Sequence, residues 1–274
     1  MADSLYYRRM AKEKSENPKS TFTANGSKIG RIIWHDLFSS EPRRSMDFYR
    51  RVAGWQYETE HATDFAWGGG EKDFILALLD GEAGAGFTQT PESLPNTWIA
   101  YVEVADVDAS FSQAQKLDAT ILREPFEVPG VGRNALLEDP AGALIGLAFS
   151  RHDYPAPTRQ FGPEVYLSGL SGFPAEFYSE LFDWELSRAS PGTDGDCRVI
   201  GPSSIGIGQL LSTSARNSKA AWLPNVRVSD VKRALRKAEV LGARPIECRP
   251  PAERECNALL LRDPDDALVC LMDT

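Results

Sequence analysis

SMDFYRRVAGW, residues 45–55, and PAEFYSELFDW, residues 174–184, are one phrase written twice. Phe48-Tyr49 and Trp55 return as Phe177-Tyr178 and Trp184, each 129 positions later. Downstream, Trp98, Asp106-Val107 and Asp139-Pro140 return as Trp222, Asp230-Val231 and Asp263-Pro264 at an offset of 124. Leu117-Asp118-Ala119 likewise returns as Leu241-Gly242-Ala243. The offset shrinks between Trp184 and Trp222, which predicts shorter hairpins in the second copy. Such self-similarity divides the chain into two homologous domains, residues 30–150 and 162–274. Between them RHDYPAPTRQF, residues 151–161, sets two prolines among polar residues and reads as a linker.

Each copy repeats a smaller pattern: strand, helix, several strands, then the same again. Arg31–Phe38 reads as a strand closed by Ser39-Ser40-Glu41-Pro42. A helix is predicted from Pro42 to Ala53, with proline at its start and Gly54 just past its end. In the second copy Phe173, Phe177 and Leu181 form one apolar stripe. Strand-like stretches follow at Phe65–Trp67, Phe74–Leu79 and Gly84–Thr88. The second unit opens with the β-rich Trp98–Val104, then Asp106 as an N-cap for a helix burying Val107, Phe111 and Ala114. Its counterpart is Asp230 before Val231, Leu235, Ala238 and Leu241. Strands at Ile121-Leu122, Asn134–Glu138 and Leu144–Phe149 follow, with a turn at Asp139–Gly142. The fold class is therefore α+β, with two βαβββ units per domain and four in the chain.

The 274 residues are 42% hydrophobic and 25% charged, which excludes collagen-like, coiled-coil and wholly disordered chains. No apolar run approaches the roughly 18 residues a membrane helix needs, so no membrane partner is expected. Lys and Arg number 30 against 39 Asp and Glu, a net charge of −9 that argues against nucleic acid. Residues 1–29 reverse that balance, with Arg8, Arg9, Lys12, Lys14, Lys19 and Lys28 against Asp3, Glu13 and Glu16. That leader lacks an apolar core and a cleavage site, so a mobile polar arm in a cytoplasmic protein is expected. A docking arm using Leu5, Tyr6 and Tyr7 is the alternative. Cys197, Cys248, Cys256 and Cys270 form no CxxC pair and read as reduced, small apolar side chains. Gly68-Gly69-Gly70 lacks the context of a phosphate loop, and neither GxGxxG after a strand nor GxSxG occurs.

The doubled βαβββ unit resembles the vicinal oxygen chelate superfamily, which holds glyoxalase I, extradiol dioxygenases and the fosfomycin- and bleomycin-resistance proteins. The likeness rests on W34-H-D-L, S45-M-D-F-Y, G54-W55, W98-I-A-Y-V-E-V-A-D-V-D-A109, V128-P-G-V-G-R133 and D139-P-A-G142. It covers about residues 30–274, strongly in the first domain and in degenerate form in the second. It implies two tandem glyoxalase-like domains, each curling two units into a half-open sheet around a ligand. In metal-dependent members the ligands sit on the first strand, at the opening of the second unit and on the last strand. Those positions here hold Trp34, Trp98 or Ile99, and Gly146; the second domain offers Trp222 or Leu223, and Cys270. The resemblance therefore implies no metal site and no cofactor.

Trp34 and Asp36 share one strand face, as do Tyr101 and Glu103 on a second strand. Together with Trp98 and Arg133 they are the candidate ligand-binding residues. A concave aromatic pocket with a few polar groups suits a small organic molecule. Core packing is the plain alternative for Trp34 and Trp98, and a surface ion pair with Glu127 or Glu138 is the alternative for Arg133. Asp36 or Glu103, buried with a raised pKa, would be a general-base candidate. His35 neighbours Trp34 and so faces the opposite way, toward a packing helix; a one-residue slip would turn it into the cavity. His61 and His152 are placed in a loop and the linker. The leading expectation is a metal-free small-molecule binder of the bleomycin-resistance kind, compatible with a monomer. The alternatives are an enzyme of the same superfamily, either a metal-dependent lyase or dioxygenase or a metal-free hydroxylase or isomerase, and a protein-interaction module. Whether any reaction is catalysed stays open at this point.

Overall fold

In the computed structural model, residues 28–62, 72–91, 94–128, 131–152, 154–169, 171–188, 197–212, 219–246 and 259–274 are described. Strand β1 spans Ile32–Ser39 and leads into helix α1, Pro42–Ala53. Proline starts α1, and Gly54 ends it at φ 77° with its N–H bonded to the Arg50 carbonyl at 3.1 Å. Strands β2 (Gln56–Ala62), β3 (Lys72–Leu79) and β4 (Glu82–Gln89) complete the first unit. The second unit holds β5 (Thr97–Glu103), α2 (Val107–Lys116), β6 (Thr120–Val128), β7 (Gly132–Glu138) and β8 (Leu144–Ser150). Asp106 caps α2, its carboxylate accepting from the Ala109 N–H at 3.0 Å. The two units join in one eight-stranded sheet ordered β2-β3-β4-β1-β5-β8-β7-β6. At its centre β1 and β5 run antiparallel, flanked by the parallel neighbours β4 and β8.

The second half repeats this plan with β9 (Glu164–Ser168), α3 (Ala175–Phe182), β10 (Glu185–Arg188), β11 (Cys197–Gly201) and β12 (Ile205–Ser212). Then come β13 (Ala221–Leu223), β14 (Asn225–Val228), α4 (Val231–Val240), β15 (Arg244–Pro245), β16 (Leu259–Arg262) and β17 (Leu268–Asp273). Here the sheet is split into five strands, β10-β11-β12-β9-β13, and four, β14-β17-β16-β15. The break falls at Pro224, which has no N–H to continue the ladder that Ala100 continues in the first half. Three expectations change. Strand β2 was not foreseen and places His61 in a strand, where it pairs with Asp73 at 3.1 Å. Strand β6 runs well beyond Ile121-Leu122. The strand expected at Phe65–Trp67, like residues 1–27, Gly68–Gly70, Cys248 and Cys256, lies outside the described residues.

Each half has a helix face and an opposite, open face. The helix faces meet, so the two halves share their cores. Leu37, Phe48, Tyr49, Trp55 and Trp98 pack in one cluster with Val226, Ala234, Ala238 and Leu271. Val104, Phe111, Ile145 and Leu147 pack in another with Tyr166, Phe177, Tyr178, Trp184 and Trp222. The repeated residues also tie the halves reciprocally. The Trp98 indole donates to the Tyr49 hydroxyl at 2.9 Å, and that hydroxyl donates to Asp263 at 3.1 Å. In mirror fashion Trp222 donates to Tyr178 at 2.6 Å, and Tyr178 to Asp139 at 2.8 Å. The second oxygen of each aspartate accepts two turn N–H groups, from Ala141 and Ala143 or from Asp265 and Ala267. Buried bonds to a carboxylate contribute roughly 1.5–3 kcal/mol each, so these clamps fasten one half to the other. The connecting segment is held too: Phe161 lies against His35, Trp55 and Trp98.

Candidate functional site

Alternation along β1 sends Trp34, Asp36 and Phe38 to the open face and His35 and Leu37 to the helix face. Along β5 the open-face set is Ile99, Tyr101 and Glu103. Antiparallel register sets Trp34 beside Tyr101 and Asp36 beside Ile99. The Trp34 indole N–H donates to Asp36 Oδ1 at 2.8 Å. Both Asp36 and Tyr101 are buried, and the Tyr101 hydroxyl interacts with the Asp36 carboxyl without closing a well-formed hydrogen bond. Burial pushes the Asp36 carboxyl up to about 6, against the lowering effects of Trp34, Tyr101 and His35. A carboxyl group is thus set among aromatic rings and titrates near neutrality.

Two glycines make this arrangement sterically feasible. Gly86 on β4 is paired with Asp36, and a Cβ there would lie 2.5 Å from Asp36 Oδ1 and collide with the Phe74 ring. Gly146 on β8 is paired with Tyr101, and a Cβ there would run into the Tyr101 ring. A strand glycine of this kind marks a close approach by another group. Gly146→Ala is therefore expected to displace Tyr101 and cost about 1–3 kcal/mol of stability, read as a lower urea midpoint. An unchanged midpoint would show that the ring has room to move.

Not every candidate joins this group. Glu103 is buried on the open face, but its carboxylate accepts from the Ser150 N–H at 3.1 Å and the Ser150 hydroxyl at 2.7 Å, which fastens it to the end of β8. Trp98 lies apart from this group: even-numbered residues of β5 face the helices, and its indole is packed against Tyr49, Trp55, Phe87 and Phe161. Arg133 lies apart from it as well. It shares the helix face with Ala135 and Leu137 and forms a bidentate pair with Asp108 at the start of α2, both bonds 2.7 Å, with Glu127 at 3.3 Å. His35 faces the helices and bonds Glu164 at 3.0 Å. Phe74, Gly86, Arg123 and Phe126 complete the open-face site and were not singled out from the sequence. Only the alternating glycines of Gly84-Ala85-Gly86 gave a signal.

The comparisons with known proteins agree with this architecture. Residues 28–147 match the Glyoxalase/Bleomycin resistance protein/Dioxygenase superfamily, and residues 173–272 match a glyoxalase-like domain. The chain belongs to this superfamily. "Putative glyoxylase CFP32" of Mycobacterium bovis is 31% identical over 121 residues, 44% of each chain, so the match spans under half of that relative. "Anthracycline biosynthesis protein DnrV" of Streptomyces peucetius is 29% identical over 78% of this chain and 82% of its own. Among solved structures, 2,2',3-trihydroxybiphenyl 1,2-dioxygenase from Sphingomonas wittichii superposes with a TM-score of 0.59 at 13% identity, covering 90% of this chain and 91% of that one. The Mn(II)-bound glyoxalase from Novosphingobium aromaticivorans gives 0.54 at 13% identity over 89% and 82%. At such identity these two superpositions speak for the glyoxalase-like fold alone.

The metal positions implied by the superfamily do not fit a metal here. The register now assigns Ile99, not Trp98, to the open face, so the three positions hold an indole, an alkyl chain and a glycine covered by the Tyr101 ring. None of these supplies the N, O or S donors a metal requires. In the second domain Leu223 and Cys270 lie in an apolar cluster. Among the described residues no three His, Cys, Asp or Glu side chains gather as metal ligands. Among the same residues, no helix is long and apolar enough to cross a membrane.

Proposed function

We propose that the open face of the first domain binds a small, ring-bearing organic molecule without a metal. The observation that carries this reading is the buried Asp36 carboxyl between the Trp34 indole and the Tyr101 hydroxyl, which closes no well-formed hydrogen bond. Burying an ionisable group and a hydroxyl without a well-formed hydrogen bond costs stability, and a ligand that bonds to both offsets that cost. Flat aromatic walls supplied by Trp34 and Phe74 favour a ring, and the name of the anthracycline-biosynthesis relative supports the same ligand class. A thermal-shift screen of small aromatic compounds tests the reading. A ligand at ~100 times its Kd stabilises by about 2.7 kcal/mol. Its effect should vanish in Trp34→Ala with the unliganded protein still folded. Hits that persist in that variant, or that appear only with added Zn, Ni, Mn or Fe(II), would sink it.

A second reading, proton transfer by Asp36, is favoured by its pKa of about 6, where a general base works at neutral pH. It predicts that a bound ligand exchanges a C–H proton with deuterated solvent, and that Asp36→Asn stops the exchange.

A further inference from the structure

We propose that this pocket selects ring-bearing molecules that donate a hydrogen bond, phenols and aryl N–H compounds, and that Asp36 accepts the bond. The proposal rests on the binding reading above and narrows its ligand class. An ionised carboxyl group is acceptor-only and offers about four lone-pair sites. The Trp34 indole fills one of them, on Oδ1. The Tyr101 hydroxyl interacts with the carboxyl but closes no well-formed bond to it. Among the described residues no other donor bonds Asp36, and the remaining influence that favours its ionised form is the charge of His35 on the opposite face. Other buried carboxylates of this chain are differently placed. Glu103 is engaged by the Ser150 N–H and hydroxyl, and Asp139 by the Ala141 and Ala143 N–H groups and the hydroxyls of Tyr166 and Tyr178. Asp36 alone of these three keeps most of its accepting capacity.

The same carboxyl stands where a flat molecule can reach it. A Cβ on Gly86 would meet both the Phe74 ring and Asp36 Oδ1, so ring edge and carboxyl come together over that glycine. Trp34 and Phe74 are only half-buried, and each presents an aromatic surface. Ile99, Leu136 and Ala148 beside them on the open face are apolar and buried. A ring laid against these surfaces directs its O–H or N–H to the carboxylate, and a charge-assisted bond of that kind is about twice as strong as a neutral one. An ether oxygen in the same place would set lone pairs against lone pairs and strip water from the carboxylate without replacing it. The second domain does not repeat the device. Val165 stands where Asp36 stands, and Pro163 where Trp34 stands.

Isothermal calorimetry on the full chain at pH 8, where Asp36 is ionised, tests the proposal with 2-naphthol and its methyl ether, 2-methoxynaphthalene. The naphthol is expected to bind about tenfold tighter than the ether. Asp36→Asn is the sharper test. Its amide oxygen stays with the Trp34 N–H, so an NH2 donor takes the place of the second carboxylate oxygen. The ether should then gain affinity and the naphthol lose its advantage, whereas Tyr101→Phe should leave the advantage in place. Equal binding of the two probes by the unaltered protein would overturn the donor assignment and leave the pocket standing. So would an advantage that survives Asp36→Asn. An advantage lost in Tyr101→Phe and kept in Asp36→Asn would move the accepting oxygen to the tyrosine and overturn the role given to Asp36. If neither probe binds, this inference and the binding reading fall together.

Discussion

Asp36→Asn is expected to make the protein more stable at neutral pH and no more stable in acid. The Asp36 carboxyl is raised from 3.8 to about 6 in the folded chain. Below pH ~4 the group is protonated in folded and unfolded chains alike and contributes nothing to pH dependence. Between pH ~4 and ~6 the unfolded chain releases the proton while the folded chain retains it. Folding therefore loses stability as pH rises through that window, and the loss levels off above pH ~7. Two pKa units correspond to about 3 kcal/mol, an upper bound on what an uncharged replacement recovers. Asparagine keeps an oxygen for the Trp34 N–H, so the hydrogen bond survives the exchange. Asp263 is raised to about 6 by the same cause and titrates alongside. The difference between wild type and variant removes it from the comparison. Urea unfolding at pH 4 and pH 7.5 should give coincident midpoints in acid and a gain of about 2–3 kcal/mol in base. A pH-independent difference would mean that Asp36 is not strained. Loss of ligand binding in the same variant would tie the strain to function.

That prediction concerns a residue the repeat does not contain. Position by position, the two halves share Phe48-Tyr49, Trp55, Trp98 and Asp139-Pro140, and the structure uses these in shared cores and reciprocal clamps. They made the fold legible, because packing both halves against each other demands the same rings and carboxylates twice. The site lies in what differs. Asp36 and Tyr101 correspond to Val165 and Asn225, and Gly86 and Gly146 to Gln209 and Cys270. Trp34 corresponds to Pro163 by the same offset of 129. Trp98 belongs to the repeated set, and its indole packs on the helix face rather than beside Asp36 and Tyr101.

Period-two alternation sorted β1 and β5 correctly, since both strands lie at the centre of the sheet with regular register around Asp36 and Tyr101. It failed on β6, an edge strand whose two register shifts no local pattern announces. Arg123 was hidden for that reason. Arg133 drew attention through its glycine turn, yet a strand start fixes only where the side chain leaves the backbone. The acidic first turn of α2, with Asp108 exposed there, decided where the guanidinium went.

The contact between His35 and Glu164 carries the second large expected effect. The two residues stand at equivalent places in the two copies, 129 apart, and meet across the junction of the halves at 3.0 Å. Both are nearly inaccessible, at 4% and 2% exposure. Phe161 covers the imidazole with ring centroids 3.9 Å apart, and burial raises the Glu164 carboxyl against the lowering effect of His35. His35 Nδ1 and Glu164 Oε2 have no hydrogen-bond partners. Removing one member leaves the other buried without compensation, so His35→Leu or Glu164→Leu should each cost about 3–5 kcal/mol. The double variant behaves differently: with no charge left to desolvate and two alkyl chains in contact, most of that loss should return. Urea unfolding of all four proteins at pH 7 measures the coupling. Additive losses would show that the pair does not act as a unit. Because the pair joins the halves, the single variants should also broaden unfolding into two steps, the first half separating from the second before either melts. A pair that contributes nothing to cohesion would leave one sharp transition in every variant, and the shared aromatic cores and the tyrosine–aspartate clamps would then suffice to hold the two domains together.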